Sequence, residues 1–86
     1  MKVEYSPKAI EDLKSFEHTL AGFFMDHIGK LEKMPPRGHM RHGLPFFKED
    51  VTRQARIAYT EKNGIIFIIH CFATHKEYER WYQSYR

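Results

Sequence analysis

Residues 57 to 82 read IAYTEKNGIIFIIHCFATHKEYERWY, and the order of signals in this stretch decides the fold. Asn63-Gly64 is a pair that accepts positive φ at both central positions of a tight hairpin turn. It lies between two runs rich in β-branched and aromatic residues, which predicts a hairpin of two strands over residues 51 to 60 and 65 to 73. In the first run Val51, Ala55, Ile57 and Tyr59 share a face with Arg53. Thr52, Gln54, Arg56 and Ala58 share the other, which is expected to be wet. The second run is apolar on both faces, Ile65, Phe67, Ile69 and Cys71 against Ile66, Ile68, His70 and Phe72, as suits an inner strand. His70 is therefore read first as a core histidine with its hydrogen bonds satisfied. Thr74 then opens a capping box with Glu77, which starts a helix at His75. Tyr78, Trp81, Tyr82 and Tyr85 follow at i, i+3, i+4 and i+7, an aromatic stripe that must dock on the sheet or meet a partner.

Upstream, Lys2-Val3-Glu4-Tyr5 alternates polar and apolar residues like a half-buried strand, and Ser6-Pro7 supplies an N-cap and a first-turn proline. Glu11 and Asp12 follow near the positive end of that helix. Ile10, Leu13, Phe16, Leu20, Phe23, Phe24, Ile28 and Leu31 keep helical spacing and are expected to form core, with a break into two helices around Ala21-Gly22. Met34-Pro35-Pro36-Arg37-Gly38 cannot continue a helix. The loop it starts runs toward Phe46-Phe47, a short strand candidate, before Lys48-Glu49-Asp50 turns the chain.

The chain has 86 residues, which predicts a single domain over 1–86. One cysteine, Cys71, excludes a disulfide framework and fits a reducing compartment. No apolar run is long enough to span a bilayer and no signal-peptide pattern opens the sequence, so a soluble cytoplasmic protein without membrane contact is expected. The net charge of +3 is uneven: −2 over residues 1 to 29, +4 over 30 to 56 and +1 over 57 to 86. The basic middle, with His39 and His42 inside it, fits a polyanion such as nucleic acid or a solvated charged loop. His39 and His42 have no Cys, Asp or Glu near enough in the loop to complete a metal site.

Three stretches together resemble one family. Residues 5 to 14, YSPKAIEDLK, are similar to the opening of RelE/ParE-superfamily toxins, and Arg56-Ile-Ala-Tyr59 looks like their arginine-bearing central strand. Residues 65 to 78, IIFIIHCFATHKEY, are similar to the HigB/YafQ-type branch, in which a Thr-His pair closes the last strand. The resemblance leaves out residues 34 to 50. It implies an α+β fold, a small antiparallel sheet with an N-terminal helix or helical hairpin on one face and a short C-terminal helix. It also implies the toxin of a type II toxin–antitoxin system, a metal-independent endoribonuclease without cofactor that cuts mRNA in the ribosomal A site and is silenced by a cognate antitoxin protein.

That reaction uses the 2′-hydroxyl to attack the adjacent phosphate and leaves a 2′,3′-cyclic phosphate. It needs a base, an acid and cations. By position His75 matches the family's C-terminal histidine and is expected to transfer the proton, and Arg56 matches its strand arginine and is expected to grip the phosphate. Lys48 and Arg53 are further catalytic candidates, although on a regular strand Arg53 points away from Arg56. Arg37, His39, Arg41, His42 and Tyr78 are expected to contact RNA, with His39 or His42 alternatively a second acid–base group. The aromatic stripe is the expected place for an antitoxin segment. Two rival readings stand beside this one, a ParE-like gyrase inhibitor and a non-catalytic nucleic-acid-binding module.

Overall fold

Asn63 (φ 53°) and Gly64 (φ 76°) close the hairpin with both central residues left-handed, the geometry that matches the right-handed twist of the flanking strands. They join β3 (Arg56–Lys62) to β4 (Ile65–Phe72). The computed structural model describes residues 2–33 and 45–84 of the chain. Around the hairpin these add β1 (Lys2–Tyr5), α1 (Pro7–Ser15), α2 (His18–Lys33), β2 (Phe47–Asp50) and α3 (His75–Gln83). The sheet order is β1-β4-β3-β2. The expected α+β class is what forms, with one difference. β1 runs parallel to β4, from Lys2↔Ile65 to Tyr5↔Ile68, so the sheet is mixed rather than antiparallel throughout.

Ser6 caps α1 as its sequence predicts, its hydroxyl accepting the Ala9 N–H at 2.9 Å. The same hydroxyl donates to the Ile69 carbonyl at 2.5 Å, and the Ser6 N–H donates to the Ile68 carbonyl at 2.9 Å. The start of α1 thus covers the edge of β4 beyond the point where β1 ends. Asp12 continues that cover, since its Oδ2 accepts the Cys71 N–H at 3.0 Å. It is bound to the strand rather than spent on the helix dipole.

The helix break falls at Phe16, not at Ala21-Gly22. Phe16 is extended (φ −77°, ψ 149°), Glu17 caps α2 by accepting the Leu20 N–H at 2.7 Å, and the Phe16 ring stacks on Phe24 at 4.9 Å. A glycine inside a helix costs only about 1 kcal/mol, which Gly22 meets without interrupting α2. The break resets the helical phase, so the stripe divides. Phe24, Ile28 and Leu31 are buried, whereas Ile10 and Phe23, both expected in the core, are 43 % and 46 % exposed.

The first hairpin strand is shorter than its pattern suggests. Thr52 Oγ1 accepts the Ala55 N–H at 2.9 Å, and Val51 N–H donates to the Ala55 carbonyl at 2.9 Å, so residues 51 to 55 turn instead of pairing. Such a local side-chain turn competes with the ladder. The chain therefore stays extended through Lys48-Glu49-Asp50 as β2 and re-enters the sheet at Arg56.

A bulge changes the faces of β4. Ala58 pairs with His70 but Tyr59 pairs with Ile68, which leaves Ile69 over. Ahead of the bulge Ile66 and Ile68 join the core with Phe24, Ile28 and Ile57; after it Cys71 does. His70 and Phe72 are turned to the opposite face, contrary to simple alternation. That face is not wet. Phe46, Ala58, Phe72, Tyr78 and Tyr82 form a second buried cluster there, with Ile69 and Trp81 packed against it. Each buried ring there contributes about 1.5–3 kcal/mol, and Tyr78 and Tyr82 of the α3 stripe hold the helix to the sheet.

Candidate active site

The register lines up the polar side chains. Asp50 pairs with Arg56 and Lys48 with Ala58 across β2 and β3; Arg56 pairs with Phe72 and Ala58 with His70 across β3 and β4. Directly opposed residues share a face. Lys48, Asp50, Arg56 and His70 therefore all lie on the side of the sheet that carries α3.

At one end of this face Asp50 joins two of the expected cations. Its Oδ1 is 2.8 Å from Lys48 Nζ and 3.0 Å from Arg56 Nε. The second contact is an ion pair without an aligned N–H, because Arg56 Nε makes no hydrogen bond. Arg56 Nη1 donates to the carbonyls of Thr52 at 3.0 Å, Arg53 at 3.2 Å and Ala55 at 2.9 Å, so this guanidinium also staples the 51–55 turn. Its side chain is only 11 % exposed. Arg53 lies in that turn and is exposed, outside β3, so its direction is set by the turn and not by strand alternation.

His75 starts α3, as its sequence predicts. Thr74 Oγ1 accepts the Glu77 N–H at 3.1 Å and donates to Glu77 Oε1 at 3.0 Å, and the His75 N–H reaches Gln54 Oε1 at 3.4 Å. The last contact brings the helix start against the turn that Arg56 staples. His75 Nε2 is 2.5 Å from Glu79 Oε1. Tyr78 is fully buried, so its ring supports the helix and offers RNA no surface in this conformation. Arg37, His39, Arg41 and His42 lie outside the described residues, as does Tyr85.

A second constellation went unrecognised in the sequence except for His70 itself. Lys8, Asp12, His70, Phe72, Glu77, Arg80 and Trp81 line an open cavity of about 300 Å³ between α1, β4 and α3. His70 Nδ1 is 2.6 Å from Asp12 Oδ2, and Lys8 Nζ is 3.2 Å from Asp12 Oδ1. The imidazole stacks on Phe72 with centroids 4.0 Å apart and meets the edge of Trp81 at 5.6 Å. Lys8 and Asp12 at i, i+4 were legible as a helix pair. The bulge that turns His70 toward them was not.

Two further groups are chemically quiet. Burial, then the Asp12 carboxylate, pushes the Cys71 thiol up to about 12, so no thiolate forms near neutrality. Burial, then Glu49, pushes the Tyr59 hydroxyl up to about 12.

By sequence the chain matches no family model and no curated protein. By structure it is similar to the isolated E. coli RelE toxin, with 12 % identity, TM-score 0.71, and 95 % of this chain and 96 % of that one covered. A chain of the intact E. coli RelBE toxin–antitoxin complex gives 13 % identity, TM-score 0.71, and coverage of 81 % and 92 %. The YoeB–YefM complex from Staphylococcus aureus gives 17 % identity, TM-score 0.66, and coverage of 83 % and 93 %. At these identities the likeness concerns the path of the chain: it has the fold of the RelE and YoeB toxins.

Proposed function

We propose that the protein is the toxin of a type II toxin–antitoxin system and acts as an endoribonuclease on messenger RNA, in the cytoplasm and in the ribosomal A site, with a cognate antitoxin protein as its partner. The observation that carries this reading is the RelE fold combined with a histidine at the start of α3, whose N–H reaches Gln54 in the turn that Arg56 staples, and with that arginine and Lys48 on the face of the sheet that carries α3. In the reaction His75 moves a proton while the 2′-hydroxyl attacks the adjacent phosphorus and the 5′-oxygen leaves, giving a 2′,3′-cyclic phosphate and a 5′-hydroxyl end. Arg56 and Lys48 offset the charge that builds on the phosphate oxygens. Both touch Asp50 in the free protein, so substrate phosphate competes with that carboxylate for them. Arg53 and the basic residues Arg37, His39, Arg41 and His42 add positive field along the RNA path.

Purified protein added to a cell-free translation system tests the reading. Cut message with cyclic-phosphate 3′ ends supports it. Intact message with blocked supercoiling by gyrase would replace it with the gyrase-inhibitor reading.

A further inference from the structure

We propose that Gln54 is a positioning residue, which ties the start of α3 to the turn stapled by Arg56 and so holds His75 at a fixed separation from the arginine. That the two act together on a phosphate rests on the ribonuclease reading above; the tie itself rests on the following contacts.

The backbone around Gln54 is held from three sides. Thr52 Oγ1 accepts the Gln54 N–H at 3.2 Å and the Ala55 N–H at 2.9 Å. The Val51 N–H closes on the Ala55 carbonyl at 2.9 Å. Arg56 Nη1 donates to the carbonyls of Arg53 at 3.2 Å and Ala55 at 2.9 Å, the residues on either side of Gln54. Gln54 cannot shift without disturbing the guanidinium, nor the guanidinium without disturbing Gln54.

At the other end of the tie, a helix begins with N–H groups that have no acceptor within the helix. In α3 the Glu77 N–H is taken by Thr74 Oγ1 at 3.1 Å, the cap's own side chain. The His75 N–H instead reaches Gln54 Oε1 at 3.4 Å, an acceptor 21 positions earlier in the chain. The bond is long and Gln54 is exposed, so it sets a position more than it adds stability. A displacement of about 1 Å at a reacting group costs about 100-fold in rate, which gives a weak contact at this place a large effect on turnover.

The type of side chain points the same way. A carboxylate would suit the N-terminus of a helix better than an amide does. It would also set a negative charge beside His75 and the arginine turn, against the phosphate of the substrate. Glutamine accepts the N–H and adds no charge.

Two variants separate the tie from the charge. Gln54→Met keeps the length and removes the acceptor; Gln54→Glu keeps the acceptor and adds the charge. The amide proton resonance of His75 reports the bond without any cleavage, and kcat and KM are measured on message-programmed ribosomes. In Gln54→Met the His75 amide proton is expected to move upfield, with kcat lowered about 10- to 100-fold and KM unchanged within about two-fold. In Gln54→Glu the amide is expected to stay in its bonded position, with kcat kept within about three-fold and KM raised about two- to ten-fold. Gln83→Met, at the far end of α3, is expected to change neither constant. A residue that merely stabilised the fold would not divide the two constants between the two variants. An unmoved His75 amide in Gln54→Met, a wild-type kcat in that variant, or an equal loss of kcat in both variants would each overturn the positioning role. Those results count against Gln54 alone when the wild-type protein cuts; a wild-type protein that cuts nothing overturns the ribonuclease reading and this role with it.

Discussion

Glu79 Oε1 stands 2.5 Å from His75 Nε2, one helical turn along α3, while Nδ1 of the same ring is buried without a hydrogen-bond partner among the described residues. The ring is therefore held by a carboxylate that is itself 39 % exposed, and pairs of that kind contribute only about 0–1 kcal/mol. On the ribonuclease reading proposed above, substrate would displace it at little cost. His75→Ala is expected to lower message cleavage about 100- to 10,000-fold with the fold retained, and Glu79→Gln to change it by less than about five-fold. Cleavage at the wild-type rate by purified His75→Ala would reduce the histidine to a part of the helix start.

The two caps are predicted to differ. Thr74 serves only its own helix, so Thr74→Ala should cost about 1 kcal/mol and lower Tm by about 4–8 °C. Ser6 serves α1 and also bonds the Ile69 carbonyl at 2.5 Å beside the bulge. Ser6→Ala loses both, and calorimetry is expected to show a larger drop in Tm than Thr74→Ala gives. Equal drops would mean that the bond to β4 contributes nothing.

Both caps and the hairpin were legible because their signals are local: a serine before a proline, a threonine three residues ahead of a glutamate, an asparagine before a glycine. Misreadings came where two distant segments decide the outcome. Nothing in IIFIIHCF announces that Ile69 is the extra residue opposite Ala58 and Tyr59, yet that bulge moves His70 out of the apolar face and toward Asp12, 58 positions away in sequence. The parallel partner of β4 is equally silent in Lys2-Val3-Glu4-Tyr5. Arg56 was visible as a strand arginine, but its bonds to three carbonyls of the 51–55 turn depend on a local turn at Thr52 that strand alternation conceals.

Those bonds predict that Arg56 cannot be tested by activity alone. Arg56→Gln removes charged donors from Thr52, Arg53 and Ala55 and leaves Asp50 with Lys48 only, at a cost of about 1.5–3 kcal/mol for hydrogen bonds to a charged group. Lys48→Gln breaks one part-exposed pair and should cost under about 1 kcal/mol. Denaturant midpoints measured beside cleavage rates separate the roles. Loss of cleavage by Arg56→Gln with an unchanged midpoint would show a purely chemical arginine and contradict the stapled turn.

Alkaline stability gives the last test. Cys71 and Tyr59 both have folded-state values raised to about 12, from 9.0 and 10.0, mainly because burial penalises the charged form. An acid whose value rises on folding is held neutral in the native state, so the unfolded chain loses its proton first as pH climbs. The stabilisation is complete below pH 9.0 for Cys71 and below pH 10.0 for Tyr59, and it disappears as pH rises toward about 12. Cys71→Ala should flatten the first part of the decline and Tyr59→Phe the second. Tyr59→Phe has another consequence, since its hydroxyl is buried without a partner among the described residues. Removing such a group spares a desolvation cost of about 1–3 kcal/mol, so this variant is expected to match or exceed wild-type stability at pH 7. A lower Tm for Tyr59→Phe would show that the hydroxyl is hydrogen-bonded after all.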